Sequence, residues 1–582
     1  MKPQIKTGGI KRIFLYLHTI KGLTLSQIVS RFFFEAKKRF FRISPFMVPL
    51  ILPQPKIVPK IRKPLPLPET ILSLYPYNDE KAKRLEEGWL EVLGRRINLL
   101  EGIDWNKRYF SPLFTYHLNY FDYALSLGKR HQKGSKKAYP TFKKIASSFI
   151  REARPGISPG WEPYPLATRI VNWLLALSLF DDALADDEGF LAMLLSSIHH
   201  QLAFLLRNLE YHLSGNHLIR NAKALAIGGA CFPGRDGEKW LKEGVRLLTS
   251  ELKKQVFPDG GHKEGSPHYH FLVLRDLLET LLVFEAIGYI PEEELYHLFG
   301  RMLSFLSSIL LPDGTLPLFG DGERGDPAAI NRLISTGEKL LREKGLKPPP
   351  NNNDFPHTGY YLHHTARSSI IIAGGAPPPH LSGHLHAHLL SYELIVDGRP
   401  IILDSGTGEY EGEELRDYFR GSSAHNTLVI EGKDQFELWA CFRVARRARV
   451  IKGRVERGED DGFLFAGAYQ PYHSPHITHK REISYNKKEG WLIEDEVMGG
   501  YSLTAHSFIH LHPEVKLAQK GDDFLLQFGD NKITISPFGV GKTDIITGWY
   551  APYFGVKTEN QVIRLEVKLK GNTCFGYRIR LH

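Results

Sequence analysis

Gly383-His384-Leu385-His386-Ala387-His388 leads into the apolar run Leu389 to Val396, then into Asp397-Gly398 and Ile401-Ile402-Leu403-Asp404. The pattern predicts a β-hairpin closed by an Asp-Gly turn. In a strand every second side chain shares a face, so His384, His386 and His388 are expected to point the same way. Asp404 returns on the partner strand within a few residues of facing His388, and a His425-Asn426 pair follows after a loop. Two histidines and an aspartate gathered in this way can hold a divalent metal, zinc by preference. The histidines left over are available for proton chemistry. The competing expectation, in a chain with 26 histidines, is a set of satisfied or surface side chains.

A chain of 582 residues exceeds one small core, and about two to four domains are expected. With 42% hydrophobic and 24% charged residues the composition is that of a globular protein, and 12% aromatics suffice for large cores and a sugar-binding cleft. The net charge of +11 suits an acidic partner: nucleic acid, an anionic membrane surface or an acidic polysaccharide. Cys231, Cys441 and Cys574 are far apart and odd in number, which argues against a disulfide framework or a cysteine zinc site. The basic N-terminus (Lys2, Lys6, Lys11, Arg12) carries only a short apolar run, Ile13 to Leu17, before His18, so neither a secretory signal nor a transmembrane helix is expected. The expected location is therefore cytoplasmic, or outside a bacterial cell by a non-classical route. Lys11 to Phe41 reads as one or two basic amphipathic helices; packing on the main body is preferred over peripheral membrane contact.

Residues 45–68 contain eight prolines and are expected to form an extended connector. From about residue 80 to 345 the apolar spacing is helical: Leu118, Phe121 and Leu125 in one segment, Ile170, Trp173, Leu174 and Leu177 in the next, and Leu191, Leu195, Ile198, Leu202, Leu205 and Leu209 in a third. Further helices are expected near 237–256, 268–286 and 293–310, giving paired helices in a bundle or ring. Lys344 to Pro356 combines a proline run with an asparagine run and reads as a linker. Beyond it, short apolar or alternating runs (369–372, 392–396, 400–403, 427–430 and 463–466) and hairpins across 483–497 and 524–535 predict an antiparallel β-sandwich. The expected organisation is thus an N-terminal segment and connector over 1–79, a helical domain over 80–345 and a β domain over 346–582.

Polar clusters interrupt this texture in four places. Ser214-Gly215-Asn216-His217, with Arg220 and Asn221, stands at the mouth of a helix, where Asn216 is either a helix cap or part of a cleft. The glycine-rich loop from Asp259 through His262, Glu264 and Ser266 runs into a helix with Tyr269 and His270 in its first turn. Phe319 to Asp326 reads as a turn rather than a cleft wall. The fourth is the histidine cluster, with Arg416, Arg420, His425 and Asn426 downstream. The run Arg443, Arg446, Arg447 and Arg449 is either a solvated strand edge or a track for an acidic polymer.

The segments GNHL (215–218), DGGHKEGSPHYH (259–270), HLHAH (384–388) returning to Asp404, and RDYFRGSSAHNTLVIEG (416–432) together resemble the heparinase II/III-type polysaccharide lyases, whose relatives include alginate lyases and broad-specificity glycosaminoglycan lyases. WNKRYFSPLFTYHLNYFDY (105–123) and GWEPYPLATRIVNW (160–173) are similar to the helical domain of that group. The resemblance implies an incomplete (α/α) toroid followed by an antiparallel β-sandwich, with the substrate cleft between them. It implies β-elimination on uronate polysaccharides such as hyaluronan, chondroitin sulfate, heparan sulfate or alginate. Asn216 and His217 match the positions that neutralise the uronate carboxylate, and Tyr269 and His386 match the base and acid. Arg220, His262, Glu264, His270, Arg416 and Arg420 are the candidate substrate-binding residues. His388, Asp404 and His425 match ligands of one structural divalent ion, zinc with manganese or calcium as alternatives, which would aim His386 into the cleft.

Two other classes compete. A glycoside hydrolase on a helical toroid needs two carboxylates, and Asp259, Glu264 and Asp321 are the acids available. A surface-polysaccharide binding or assembly protein would keep the fold without the chemistry. Nucleic-acid binding rests on charge alone, since no helix-turn-helix, zinc module or Walker loop is present.

Overall fold

The computed structural model describes residues 9–44, 47, 55, 57–410 and 413–582. Lys2 and Lys6 of the basic terminus, and Pro45, Pro49 and Pro53 of the connector, lie outside the described residues.

Helices dominate up to Glu343. Several of them start at a side-chain cap. Ser111 caps the helix Pro112–Tyr120 by accepting from Phe114 N, Asp187 caps Glu188–Leu206, and Ser266 caps Pro267–Ala286, with proline at the first position of the first and last. Phe121 adopts a left-handed conformation (φ 56°) and ends the first of these, so Leu118 and Leu125 belong to two helices, Pro112–Tyr120 and Tyr123–Gln132, rather than one. Helix Gly215–Cys231 packs against Arg235–Gln255, Pro163–Leu179 and Pro267–Ala286, and the last continues the ring through Glu293–Ile309 and Pro327–Glu343. This is an incomplete (α/α) toroid. Trp105, Phe121, Phe149 and Trp173 interlock edge-to-face at its centre. Helix Glu188–Leu206 is long and apolar enough to cross a membrane, but Leu194, Ile198, Leu202 and Leu205 are buried in the same core.

From Asp354 onward the described residues form two large antiparallel sheets and a two-stranded ribbon, Leu438–Trp439 with Arg443–Val444. The smaller of the two large sheets has five strands in sequence order: Asp354–Phe355, Tyr360–His364, Ser368–Ala373, Ser391–Val396 and Arg399–Ile402. Both its faces are covered. Tyr392, Leu394 and Val396 point into the sandwich core with Phe465, Trp491, Ile493 and Tyr577 of the ten-stranded sheet. Ile371 and Ile395 point the other way and pack on Phe305, Ile309 and Phe319 of the helical part. The small sheet is therefore the layer that joins toroid to sandwich, which is why its strands read as continuous apolar runs. The hairpins expected over 483–497 and 524–535 are present, in strands Thr478–Asn486 with Gly490–His510 and Asp523–Phe528 with Asn531–Phe538.

The Asp397-Gly398 turn forms as expected, with both residues at positive φ (47° and 73°). Its first strand, however, begins only at Ser391. The run His384 to Leu390 is irregular backbone, not strand, because it is held from outside: Ala387 N donates to Arg420 O (2.8 Å) and Leu389 N to Gln435 Oε1 (2.8 Å).

Two N-terminal helices, Gly9–Lys21 and Leu25–Ile43, lie across both halves of the molecule. Tyr16 meets Trp439 edge-on, and Trp439 Nε1 donates to Thr19 Oγ1 (2.9 Å). Gln27 Nε2 donates to His380 O (3.0 Å). Farther along, Phe34 stacks on His212 and Lys38 pairs with Glu162 (3.0 Å) on the toroid.

Candidate active site

Ser214 (φ 56°) and Gly215 (φ 57°) turn the chain sharply into helix Gly215–Cys231. Glycine suits the left-handed conformation at 215, and a Cβ there would sit 2.0 Å from Glu264 Oε1. That close approach lets Glu264 close the helix N-terminus: its Oε1 accepts from Asn216 N (3.1 Å), and both its oxygens accept from Asn216 Nδ2 (3.1 and 3.0 Å). Asn216 is thus a first-turn residue whose amide is held by a carboxylate, not the cap. Its Oδ1 is buried with no partner among the described residues. His217 lies half-buried beside it, with Nδ1 3.1 Å from Glu210 Oε1 and its ring 4.5 Å from that of Tyr164. Burial lowers the His217 pKa, but the Glu210 carboxylate outweighs it and leaves the imidazole above its ordinary value.

Across from this helix, Tyr269 projects from the first turn of Pro267–Ala286. Its hydroxyl is 2.7 Å from that of Tyr410, and its ring stacks on His384 at 3.6 Å between centroids. Burial, then the charge of Asp321, raise the phenol well above its usual range. Asp321 is the hub beneath. It accepts from His384 Nδ1 (3.0 Å), His386 Nε2 (2.8 Å) and both terminal nitrogens of Arg416, the Nη2 contact being 2.8 Å. Burial works to raise this carboxyl, yet Arg416 and the two imidazoles hold it well below the usual range. Phe319 to Asp326 is therefore a wall of the site, not a mere turn. Sequence spacing offers no sign of this, because Asp321 and its partners are 63 to 95 residues apart. Tyr410 and Glu210 stand in no distinguishing local motif, and of the three only Tyr164 falls in an aromatic-rich segment, 160–173.

The other expected site residues sit behind these walls. His386 is fully buried on Asp321 and does not face open cleft; His384 occupies the place beside Tyr269. Arg220 is buried against Asp276 (2.8 Å), next to Lys223, which reaches both Asp276 (3.0 Å) and Glu279 (2.5 Å). Arg220 lies over the Tyr164 ring rather than beside Tyr269. His262 Nε2 meets Gln255 Oε1 (3.1 Å), and His270 Nε2 meets Met302 O (3.0 Å). Arg420 donates to the carbonyls of Ala440 (2.8 Å) and Arg443 (3.3 Å). In the arginine run, Arg443 covers Tyr16 and Trp439, Arg446 pairs with Glu437 (2.7 Å), and Arg447 donates to Pro377 O, so most of these side chains serve local structure.

Among the described residues, no group of three or more His, Cys, Asp or Glu side chains is arranged to hold a metal ion. His425 Nδ1 lies 2.7 Å from Asp404 Oδ2, and the rings of His388 and His425 are 5.6 Å apart. The donor types nevertheless suit a divalent ion. His388 Nδ1 and His425 Nε2 are both buried with no partner among the described residues.

Comparison with known proteins fits this arrangement. Residues 97–344 match the profile described as "Heparinase II/III N-terminus" and residues 347–578 that described as "Heparinase II/III-like, C-terminal". The chain belongs to the heparinase II/III family. A protein named heparin-sulfate lyase from Pedobacter heparinus is 25% identical over 363 residues, 58% of this chain and 52% of its own length. FtsZ-localized protein C from Caulobacter vibrioides is 24% identical over 286 residues, 49% of this chain and 47% of its own length. The chain thus spans about half the length of the curated relatives it matches. A crystal structure titled heparinase III shares the fold, with a TM-score of 0.73 over 97% of this chain and 93% of that one, at 19% identity.

Proposed function

We propose that this family member is a polysaccharide lyase that cleaves uronate-containing acidic polysaccharides, of heparan sulfate type first, by β-elimination. The observation that carries the reading is the pairing of a phenol held protonated, Tyr269 stacked on His384, with a histidine held toward its cationic form, His217 on Glu210. The C5 proton of a uronate is weakly acidic, and its removal needs the carboxylate neutralised as charge builds on it. His217 supplies the charge, and the amide of Asn216 borders the same spot. An imidazole takes the C5 proton, the C4–O4 bond breaks as the C4–C5 double bond forms, and Tyr269 protonates the leaving oxygen. His384 is the imidazole in contact with the phenol; His386, on the same carboxylate behind it, enters the cleft only if its side chain or loop moves. The relatives named heparin-sulfate lyase support the choice of polymer.

The hydrolase alternative loses its acids to other duties. Asp259 accepts from His357 N (2.8 Å) and Thr358 N (2.9 Å), Glu264 closes a helix, and Asp321 is neutralised by Arg416.

Ultraviolet absorbance of the conjugated product on hyaluronan, chondroitin sulfate, heparan sulfate, heparin and alginate tests the reading. A rise that Tyr269→Phe removes is expected. New reducing ends without absorbance mean hydrolysis, and neither signal leaves a polysaccharide-binding protein on this fold.

The same reading includes one structural divalent ion, zinc with manganese or calcium as alternatives, held by His388, Asp404 and His425. Its support is the two orphaned imidazole nitrogens, and when bound it would supply a fixed positive charge tying the His384–Leu390 segment to the following loop. Elemental analysis of the purified chain should find about one ion per chain, lost in His388→Ala. Unchanged metal content in that variant removes His388 from the set.

A further inference from the structure

The N-terminal helices carry their apolar stripes on the wrong side for core packing. In Gly9–Lys21 the only buried side chain is Leu15; in Leu25–Ile43 they are Gln27 and Phe41. Ile10, Ile13, Phe14, Leu17 and Ile20 recur at helical spacing on the face opposite Leu15 and Thr19, and all are exposed, Ile10 at 74%. Leu25, Ile28, Val29, Phe32, Phe33, Phe40 and Ile43 do the same on the face opposite Gln27 and Phe34, with Leu25 76%, Phe32 71% and Ile43 70% exposed. The body-facing sides are already engaged by Trp439, His380, His212 and Glu162. A contiguous apolar surface on this scale marks an interaction site.

Charge identifies the occupant. Residues 9–44 hold eight Lys and Arg (Lys11, Arg12, Lys21, Arg31, Lys37, Lys38, Arg39, Arg42) against one acid, Glu35. A second copy docking on the same face would bring two strongly cationic patches together. An anionic phospholipid surface accepts both features: acyl chains take the aromatic and aliphatic side chains, and headgroups take the flanking Lys and Arg. The opposite face of each helix is bound to protein, so the helices lie along the membrane and do not cross it. We propose that Gly9–Lys21 and Leu25–Ile43 form a surface anchor for anionic membranes that holds the toroid and sandwich against the bilayer.

The test is flotation of the full chain with vesicles of phosphatidylcholine alone and of phosphatidylcholine mixed with phosphatidylglycerol, at low and high salt. Binding to the anionic vesicles, weakened by salt, is expected. Phe32→Glu combined with Phe33→Glu should cut that binding roughly tenfold or more while the thermal unfolding midpoint stays unchanged, since both side chains are solvent-facing. Absence of binding to anionic vesicles, or equal binding by the double variant, overturns the proposal. So does a dimer in light scattering that the double variant dissolves without any vesicle binding. None of these outcomes depends on the catalytic reading, which the soluble-polymer assay tests separately.

Discussion

Tyr269 keeps its proton in the free protein because it is buried and because the negative charge of Asp321 acts on it. In the proposed elimination it therefore serves first as an acid, and Tyr269→Phe retains the stack on His384 while removing the transferable proton. That substitution should lower kcat by roughly 10²- to 10⁴-fold with an unchanged unfolding midpoint; near-native turnover would take Tyr269 out of the chemistry. His217 presents the opposite case. Glu210 lifts its pKa, so the cation persists to higher pH, and activity that needs the cation is present below that pKa and lost as pH rises through it. Glu210→Gln removes the lifting charge and should move the alkaline limb of kcat/KM to lower pH, read from a pH–rate profile. The stability tied to this pair has the same sign: fully present below the unfolded histidine value of about 6.5 and lost as pH rises through the folded one.

Helix Gly215–Cys231 carries Asn216 and His217, and its position depends on how closely its neighbour approaches. Helix Arg235–Gln255 touches it through Gly237 and Gly244. A Cβ at 244 would meet Ala226 N at 2.4 Å and Ala222 O at 2.8 Å, backbone atoms that cannot rotate away. Gly244→Ala should destabilise the toroid by about 1–3 kcal/mol, seen as a lower unfolding midpoint, with some loss of activity through the displaced first turn. The small sheet has an equivalent part on the other side of the cleft. Glu393 leaves it toward the toroid and accepts from Arg324 Nη1 (2.9 Å) and Leu318 N (3.1 Å), which ties the sheet to the loop that bears Asp321.

Toroid, sandwich and N-terminal helices come together so that the proposed chemistry is shared: Asn216, His217 and Tyr269 come from one side, His384, His386 and Tyr410 from the other. The net charge of +11 gives the molecule a field that attracts a polyanion and is screened by salt. On heparan sulfate, KM should rise with ionic strength while kcat changes little, measured by initial ultraviolet rates; a salt-independent KM would mean that recognition is local to the cleft.

Period and punctuation were enough to derive the helical-then-β architecture from the residues. The helices near 237–256, 268–286 and 293–310 form as Arg235–Gln255, Pro267–Ala286 and Glu293–Ile309, and the Asp397-Gly398 hairpin closes as expected. The motifs GNHL and SPHYH were visible because their chemistry is contiguous. Tertiary packing determined the rest. His384 to His388 is loop rather than strand, because backbone and side-chain partners at Arg420 and Gln435 replace the ladder that alternation implied. Asp321 becomes the hub of the site through contacts 63 to 95 residues away, a distance at which periodicity carries no information. The apolar stripe of each N-terminal helix was equally legible, but which way it faces was not: the same amphipathic pattern serves a core or a membrane, and only the protein packed on the opposite face leaves this one turned outward.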